Sequence, residues 1–407
     1  MIEPYNKLIN IIKNNQETMV KQLHQFCEIN SGTTNLEGLA KMTNLLQKNY
    51  TPIADTVQIK KLPPLSVMDM SGNTVLQTCG DALFIRKRPH LKRRVLLCGH
   101  MDTVYTAENP FQKLTYINDN CINGPGVTDM KGGLIVMLHA LSAFEQDECA
   151  AKLGWDVLIN ADEEIGSPAS SILFDELAAY YQAALVYEPA MTPDGTLAKN
   201  RKGSGKLTLI ATGKAAHAGR AFSEGRNAIC YLAEAVCAVH DLNGKREGVT
   251  INVGIIAGGE ALNVVPDKAV AQLDIRISLP EDEFWVRTEL DKIISQLKRQ
   301  GYSLSVHGVF GRPVKRVCSG TERLFHRIQH LGQELGLTID WKDSGGCCDG
   351  NNLAQYGLPV LDTLGVRGGN IHSAEEYILL DSLSERAALS TLLLLDLAQG
   401  GLEDLTL

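Results

Sequence analysis

The sequence predicts an α/β protein with a second, smaller α+β domain inserted into the first. Its 407 residues exceed the length that a single hydrophobic core usually serves, so two domains are expected. Three apolar runs, at 95–98, 155–160 and 183–187, are typical of strands buried on both faces of a sheet. Between 205 and 309 the strand and helix patterns follow the order βαββαβ, which indicates a ferredoxin-like insert.

The N-terminal region predicts two helices. Apolar residues recur at helical spacing from Ile9 to Phe26, and a second helical pattern covers 36–46. The stretch between them, 30–35, is rich in the Asn, Ser and Thr residues that favour helix N-caps. Short strands then lead into the first buried run at 95–98.

The first buried run ends in a histidine and an acid. His100 and Asp102 follow Gly99 two positions apart, so on extended chain their side chains point the same way. A carboxylate beside a histidine can fix the ring tautomer that binds a metal. A strand-end histidine that is hydrogen-bonded to a turn explains the same pair equally well.

Carboxylates follow the other predicted strands at the corresponding positions. Run 155–160 leads into three acids at 162–164, which repel one another unless cations or solvent compensate, and run 183–187 leads into Glu188. A solvated acidic loop is the common alternative for such a run. Doubly wound sheets bind ligands beyond the carboxyl ends of their strands, so we expect these groups to converge.

Asp129 lies in a glycine-rich stretch, 123–133, just before a long apolar helix at 134–144. Glycines ahead of a helix can cradle a phosphate, but neither GxGxxG nor GxxxxGK[ST] is present. A carboxylate committed to a metal fits this stretch better. His372 also follows a glycine-rich turn, and taken alone it is an ordinary loop histidine.

Composition argues against several classes of partner. The chain has 39 Lys and Arg against 47 Asp and Glu, so it has no basic excess with which to bind nucleic acid. The N-terminus has no secretory pattern, and we find no apolar run that approaches the roughly 18 residues of a membrane helix. Ten cysteines show no disulfide framework, so we expect a reduced, cytoplasmic protein without a membrane partner.

In their order along the chain, these residues resemble the M20 family of zinc-dependent peptidases and deacylases. The matching pieces are GHMDTV at 99–104, GPGVTDMKGG at 124–133, DEE at 162–164, Glu188-Pro189, GKAAHAG at 213–219 and His372. Any one piece is a weak signal, but six in order span essentially the full chain. The resemblance implies a zinc-peptidase-type catalytic domain, with a mixed central sheet flanked by helices.

The resemblance also implies two zinc ions per subunit, although the residue types are compatible with Co²⁺ or Mn²⁺ as well. Five side chains would bind them: His100, Asp129, Glu164, Glu188 and His372. Asp129 would bridge the ions, with His100 and Glu188 on one ion and Glu164 and His372 on the other. The peptide bond that follows Asp129 is often cis in this family, so a cis bond is expected here.

Two further acids would complete the chemistry. Asp102 would orient His100, and Glu163 would be the general base that activates the water between the metals and passes a proton to the leaving amine. Two metals about 3.5–4 Å apart lower the pKa of such a water and polarise the substrate carbonyl. The implied reaction is hydrolysis of an amide or peptide bond.

The family also carries a lid domain that often forms a dimer. We place this lid at 201–312, with the catalytic domain formed by 1–200 and 313–407, and we expect a homodimer through the lid. Within it, His217 would stabilise the tetrahedral oxyanion, often from the partner subunit. A turn histidine is the simpler explanation of this residue when the family is left aside.

Three more residues match substrate-contacting or basic positions of the family: Asn263, Arg276 and Arg312. Arg276 suits a terminal carboxylate, which a planar guanidinium binds bidentately, but a surface arginine on a strand has the same pattern. Arg201 and Arg312 lie where the glutamate carboxypeptidase subgroup carries basic residues around the substrate. Cys348 departs from the Gly-Thr-Asp of that subgroup, which leaves the side-chain specificity open.

We therefore expect a hydrolase that releases a C-terminal amino acid, with glutamate as the first candidate, from an N-acyl conjugate or small peptide. The alternative is an N-acyl-amino-acid deacylase of the acetylornithine deacetylase type, since both cleave the same bond. A non-catalytic protein on this fold would have lost Glu163 or a ligand, and all of these residues are present.

Overall fold

The computed structural model of this chain describes residues 3–406. In that part of the chain the α-helices are α1 (Asn6–Asn14), α2 (Gln16–Cys27), α3 (Leu36–Tyr50), α4 (Gly133–Phe144), α5 (Ser171–Leu177), α6 (Ala228–His240), α7 (Glu281–Leu297), α8 (Ser319–Glu334), α9 (Asp349–Ala354) and α10 (Asp381–Asp396). The strands are β1 (Thr56–Lys60), β2 (Leu65–Met68), β3 (Thr74–Gln77), β4 (Ala82–Lys87), β5 (Arg94–His100), β6 (Thr115–Asn118), β7 (Cys121–Asn123), β8 (Gly154–Asn160), β9 (Ala183–Val186), β10 (Leu197–Arg201), β11 (Gly203–Thr212), β12 (Ala216–His217), β13 (Thr250–Gly258), β14 (Val264–Val265), β15 (Lys268–Ile277), β16 (Ser303–Arg312), β17 (Trp341–Ser344), β18 (Val360–Leu361), β19 (Gly368–Gly369) and β20 (Tyr377–Leu379).

Six strands form the central sheet, in the order β1-β4-β8-β5-β9-β18. β4 pairs antiparallel with both β1 and β8, whereas β5 is parallel to β8 and β9, and β18 is parallel to β9. Every residue of β5, β8 and β9 is buried, as predicted from their apolar runs. The expected mixed sheet is therefore confirmed, and the carboxyl ends of these three parallel strands meet at one edge.

Helices cover both faces of this sheet. On one face, Leu97 and Val157 pack with side chains of α4 and α10 in the largest apolar cluster. On the other face, Leu96 and Leu158 pack with Phe174 of α5 and with α9. Successive residues of a strand point to opposite faces, so both clusters draw on the same strands.

The inserted domain has the predicted ferredoxin-like topology. β11, β13, β15 and β16 form an antiparallel sheet in the order β13-β15-β11-β16, and α6 packs against it. Side chains from Leu207 to Val314 form a separate apolar core between this sheet and its helices α6 and α7. The exact division of the chain at 201 and 312 stays a prediction.

The N-terminal helical region is broken where the sequence predicts one continuous helix. α1 ends at Asn14 and α2 begins at Gln16, because Asn15 leaves the helical conformation with φ −85° and ψ 2°. The apolar spacing carries no sign of this break, since Ile12 and Met19 on its two sides are buried in the same core. The prediction of a single first helix was wrong at this point.

The apolar helical stretch that ends at Phe144 is longer than the helix predicted at 134–144, and it corrects the expectation that no apolar run approaches the length of a membrane helix. Val127–Phe144 has 18 residues and is long and apolar enough to cross a membrane by length and composition alone. However, 89% of this stretch is buried inside the protein, and its first turn carries the acidic Asp129. These features are those of a core helix.

A hairpin formed by β2 and β3 extends from the central-sheet domain to the lid. At the start of β15, the Nζ of Lys268 donates to the carbonyl oxygen of Gly72, at 3.0 Å, and to Oδ1 of Asn73, at 3.2 Å. The tip of the hairpin is therefore hydrogen-bonded to the lid sheet.

Candidate metal centre and active site

The carboxyl edge of the central sheet brings together the acids and histidine that the sequence places after each strand. His100 is the last residue of β5, Glu163 and Glu164 lie in the turn after β8, and Glu188 follows β9. Asp129 lies in the turn before α4, and the peptide bond that follows it is cis, as the resemblance implied. Short connections from one sheet edge thus place His100, the two glutamates after β8 and Glu188 at one site, which Asp129 joins from the turn ahead of α4.

The two carboxylate oxygens of Asp129 face different histidines. Oδ1 lies 3.1 Å from Nε2 of His100, and Oδ2 lies 3.3 Å from Nε2 of His372. A glutamate accompanies each ring: Oε1 of Glu188 is 3.8 Å from Nε2 of His100, and Oε2 of Glu164 is 3.2 Å from Nε2 of His372. The structure therefore brings the five predicted ligands together as two His–Glu pairs that share Asp129.

His100 is oriented by the residues that follow it. Its Nδ1 lies 2.9 Å from the carbonyl oxygen of Asp102 and 3.4 Å from Oδ1 of the same residue. Both atoms are acceptors, so Nδ1 carries a proton, and Nε2 is the ring nitrogen that faces the site and would bind a metal. The Asp102 carboxylate also accepts from the amides of Glu163 and Glu164, at 3.2 Å each. One acid thus holds both the ring and the acidic turn.

Burial disfavours the charged form of the carboxylates in this site. Desolvation raises the pKa of Glu163 to about 7 and the pKa of Glu164 to about 8. Burial also raises the pKa of Glu188 well above its usual range. Hydrogen bonds to Asp129 and Glu164 raise the pKa of His372 to about 11, so this ring holds a proton beside the acids. Cations bound at the same place would displace such protons.

Two buried oxygens in the site have no hydrogen-bond donor among residues 3–406. They are Oε1 of Glu164 and Oε1 of Glu188. An unpaired buried acceptor costs free energy, which a bound cation would offset. The surrounding donor set consists of imidazole nitrogens and carboxylate oxygens, which suit zinc and also cobalt or manganese. The residues present therefore fit a pair of divalent cations.

The ligand cluster opens into a cavity of about 500 Å³, a volume that suits a small molecule. Besides the acids, the cavity wall includes Arg201, Cys347, Met191 and Ile371. Arg201 is buried and pairs with both oxygens of Asp362, at 2.9 and 3.1 Å. The wall therefore combines a fixed cation with apolar side chains.

Comparison with known proteins identifies the family. The sequence model of peptidase family M20/M25/M40 matches residues 96–396, a range that includes all five predicted ligands. The chain belongs to this family. It is 28% identical over 401 residues to carboxypeptidase G2 of Pseudomonas sp. (strain RS-16), a match that covers 97% of this chain and 93% of that protein.

Two further proteins extend this comparison. The chain is 26% identical over 308 residues to succinyl-diaminopimelate desuccinylase of Verminephrobacter eiseniae (strain EF01-2), covering 72% of this chain and 75% of that protein. The M20 family metallo-carboxypeptidase Sso-CP2 from Sulfolobus solfataricus has a similar fold, with a TM-score of 0.73 at 16% identity over 94% of this chain and 99% of that one. The chain is thus an M20 metallopeptidase, a hydrolase of peptide C–N bonds.

Arg312 lies behind Glu163 in this M20 enzyme and does not line the cavity. It is the last residue of β16, and its buried Nη2 donates to Oε1 of Glu163 at 2.7 Å. Its Nη1 donates to Asp349 and to Oδ1 of Asn352. The guanidinium is therefore committed to groups of the chain itself, in contrast to the substrate contact that the resemblance implied.

Within the described part of one chain, the remaining lid residues do not join the metal ligands. His217 and Asn263 lie together on the lid, where Nδ1 of His217 accepts from two backbone amides of its own turn, and neither residue lines the cavity. Arg276 pairs with Asp274, and its Nη1 donates to Sγ of Cys347 at 3.4 Å. Arg276 therefore reaches the cavity wall through one contact.

Three buried acids that support the site received no role in the sequence analysis: Asp349, Asp362 and Glu376. Asp349 and Asp362 pair with Arg312 and Arg201, and a buried arginine requires such partners, but spacing along the chain does not identify them. For Glu376, its position four residues after His372 was the available signal.

Proposed function

We propose that this M20 enzyme is a two-metal carboxypeptidase that releases the C-terminal amino acid of a small peptide or N-acyl conjugate. The proposal depends first on Asp129, whose two oxygens each face one His–Glu pair. We assign His100 and Glu188 to one zinc ion, Glu164 and His372 to the other, and Asp129 to both. When bound, zinc polarises the scissile carbonyl and lowers the pKa of water.

Glu163 is the proposed general base. It lines the cavity beside the ligands, and burial raises its pKa to about 7, where a carboxylate can both accept and release a proton. In this role it takes a proton from the attacking water and delivers it to the leaving amine nitrogen. Asp102 supports the reaction through its contacts with His100 and with the Glu163 amide.

A carboxylate on the leaving amino acid suits the charge of the cavity wall. Arg201 and Lys315 share the single carboxylate of Asp362, so this buried cluster retains one net positive charge. Arg276, which reaches the wall at Cys347, is the proposed partner of the terminal carboxylate. The similarity to carboxypeptidase G2 over nearly the whole chain supports a carboxypeptidase, with glutamate as the first amino acid to test.

The proposal includes a homodimer in which the lid of one subunit completes the cavity of the other. His217 would supply the oxyanion donor and Asn263 a substrate contact from the partner, which accounts for their distance from the wall of their own cavity. β13 is an edge strand of the lid sheet, and Ile255 and Ile256 on it are 51% and 54% exposed. An open edge with exposed apolar side chains is suited to pairing with a second copy.

An N-acyl-amino-acid deacylase of the acetylornithine deacetylase type is the second candidate. The similarity to succinyl-diaminopimelate desuccinylase favours it, and Cys348, in place of the threonine of the glutamate carboxypeptidase subgroup, leaves the side-chain specificity open. Both candidates use the same ligands and the same base. They differ in the part of the substrate that the cavity holds.

A cytoplasmic location is also part of the proposal. All ten cysteines are free thiols, and half of them are buried. Reducing compartments maintain cysteines in this state, and buried thiols then contribute as small apolar side chains.

Hydrolysis of three matched substrates tests the proposal. Zinc-loaded protein is given N-benzoyl-glutamate, N-benzoyl-glutamine and N-acetyl-ornithine, with chelator-treated protein as the control. The carboxypeptidase assignment predicts a clear preference for the glutamate conjugate and a loss of turnover after chelation. Preference for N-acetyl-ornithine would move the enzyme to the deacylase branch. Turnover that survives complete metal removal would refute the two-metal assignment.

A further inference from the structure

Glu376 is a fully buried carboxylate that contacts the turn carrying Asp129. Its Oε1 accepts from the backbone amides of Thr128, at 2.9 Å, and Asp129, at 3.1 Å. Its Oε2 accepts from the amide of Gly126, at 3.2 Å, and lies 2.7 Å from the hydroxyl oxygen of Tyr105. Both oxygens are therefore saturated by groups of the chain.

The three amides form an anion-binding nest just ahead of a predicted metal ligand. Gly126 has φ +69°, a left-handed conformation that glycine adopts without steric cost, and it lets the amides of 126, 128 and 129 converge on one carboxylate. Glu376 fills this nest from a distant part of the sequence. Its carboxylate is held by backbone N–H groups and a hydroxyl, so its position is tied to the backbone of the turn itself.

Glu376 is also attached to the loop that carries His372. It lies four residues after His372, and its carbonyl oxygen accepts from the amide of Gly124, at 3.1 Å, and from Nδ2 of Asn123, at 2.7 Å. β20, which begins at the next residue, pairs with β7. The loop and the turn are thus joined through both the main chain and the side chain of one residue.

The His372 loop needs such support because its backbone is unfavourable. Asn370 and His372 have φ of 53° and 63°, in the left-handed region that residues other than glycine rarely adopt. Conformations of this kind persist only where surrounding contacts hold them. The His372 side chain is itself 51% exposed, so packing around the ring supplies only part of that support.

We propose that Glu376 is a positioning residue that sets the separation of Asp129 and His372 before a metal binds. The inference rests on the proposed function, in which these two residues bind the same ion. Glu376 joins the backbone amide of Asp129 to the His372 loop, and it thereby keeps Nε2 of His372 within 3.3 Å of Oδ2 of Asp129. Without the carboxylate, the loop loses its attachment to the nest and the ion loses a fixed ligand.

Glu376→Gln tests this role with little change of side-chain volume. The glutamine keeps one carbonyl oxygen for the amides of Thr128 and Asp129 but turns an NH₂ group toward the amide of Gly126, where two donors then face each other. Glu375→Gln is the matched control, because Glu375 is exposed and adjacent in the chain. We expect zinc affinity to fall by about 10–100-fold in Glu376→Gln, the usual range for a residue that orients a ligand. Glu375→Gln should bind zinc as the wild type does.

Two measurements separate positioning from a general loss of stability. Zinc affinity is measured by competition with a chromophoric chelator, and exchange of the Thr128 and Asp129 amides is followed in metal-free protein. Positioning predicts faster exchange at these amides together with weaker zinc binding in Glu376→Gln. A folded Glu376→Gln protein with unchanged zinc affinity or unchanged exchange would overturn the inference, whatever its melting temperature.

A milder variant keeps the test decisive if Glu376→Gln does not fold. Tyr105→Phe removes one donor to the carboxylate and should weaken zinc binding by about two- to tenfold, the effect of one hydrogen bond. Unchanged affinity in that variant would overturn the inference. Failure of the wild-type protein to bind zinc would instead refute the proposed function, and the inference with it.

Discussion

Arg312 donates to the carboxylate of Glu163 across 2.7 Å, so the last residue of a lid strand contacts the proposed general base. The same guanidinium pairs with Asp349, and one buried cation thus serves two buried carboxylates. Its charge opposes the effect of burial on the pKa of Glu163. The orientation and the protonation of the base therefore both depend on a residue of the lid.

Replacing Arg312 with Met removes the cation and keeps much of the side-chain volume. Glu163 and Asp349 are then buried without their partner, so we expect the free energy of unfolding to fall by about 3–5 kcal/mol. We also expect kcat to fall more than KM rises, because the base loses its fixed orientation. Denaturant titration and steady-state kinetics measure the two effects. The control Arg287→Met breaks an exposed pair with Glu283 and should cost under about 1 kcal/mol; equal losses in both variants would contradict this account.

Glu163→Gln should separate catalysis from metal binding. Glu163 is assigned as base and not as ligand, so we expect near-normal zinc content with kcat lowered by about 10²–10⁴-fold. Metal analysis of the purified protein and turnover of the preferred substrate measure the two properties. Glu176→Gln, at an exposed acid on α5, is the control and should retain full activity. Retained turnover in Glu163→Gln would remove Glu163 from the mechanism.

His217→Ala should lower kcat by about 10²–10³-fold, the effect of losing one oxyanion donor. Because His217 does not line the cavity of its own chain, the dimer proposal makes a second prediction. Mixing His217→Ala with Glu163→Ala should restore part of the activity, since hybrid dimers contain one site with both residues intact. Confirmed subunit exchange without any recovery would count against the contribution from the partner.

Zinc should stabilise the protein through its histidine ligands. Adding zinc to metal-free wild type is expected to raise the melting temperature, by an amount that grows with the ratio of zinc concentration to Kd. His372→Ala should lose most of this increase, because it removes one side of a His–Glu pair. His330→Ala, at an exposed histidine of α8, should keep it. The same increase in both variants would argue against His372 as a ligand.

His139 predicts a pH dependence of stability that is separate from the metal site. Burial lowers the pKa of His139 on α4 from 6.5 to about 4, and its Nε2 lies 2.7 Å from Oε1 of Gln22. Between pH 6.5 and 4 the unfolded chain therefore binds a proton that the folded chain does not, so stability falls as pH falls, by at most about 1.4 kcal/mol per pH unit. His139→Gln should show a flatter pH profile of the free energy of unfolding over this window. An identical slope in both proteins would contradict the assignment.

The ligands on the central sheet could be predicted because their signals are local. An apolar run followed directly by polar residues indicates a buried strand and its polar end within a few residues. Such runs stop at His100, at 162–164 and at Glu188. Parallel strands then bring their carboxyl ends to one edge by geometry alone. Three short patterns were therefore enough to predict a shared site.

Other features of the site depend on contacts that local sequence does not report. Arg312 pairs with Glu163, 149 residues away, and a basic residue in a matching position has the same pattern whether it binds substrate or supports the base. Glu376 binds backbone amides, which every residue type carries, so its partners leave no mark in the sequence. The break between α1 and α2 at Asn15 could not be predicted from the sequence either, because the apolar spacing continues across it.

The hydrogen bonds of Lys268 to Gly72 and Asn73 change the number of connections between the two domains. The predicted domain division gives two chain crossings between them, near 201 and 312, and two crossings alone would let the lid turn about the line that joins them. The β2–β3 hairpin adds a non-covalent attachment, alongside the contacts of Arg312 with Glu163 and of Arg276 with Cys347. Any rotation of the lid must therefore break the contacts of Lys268 or draw the hairpin with it. The stiffness of the β2–β3 hairpin thus becomes part of the energy that any rotation of the lid would require.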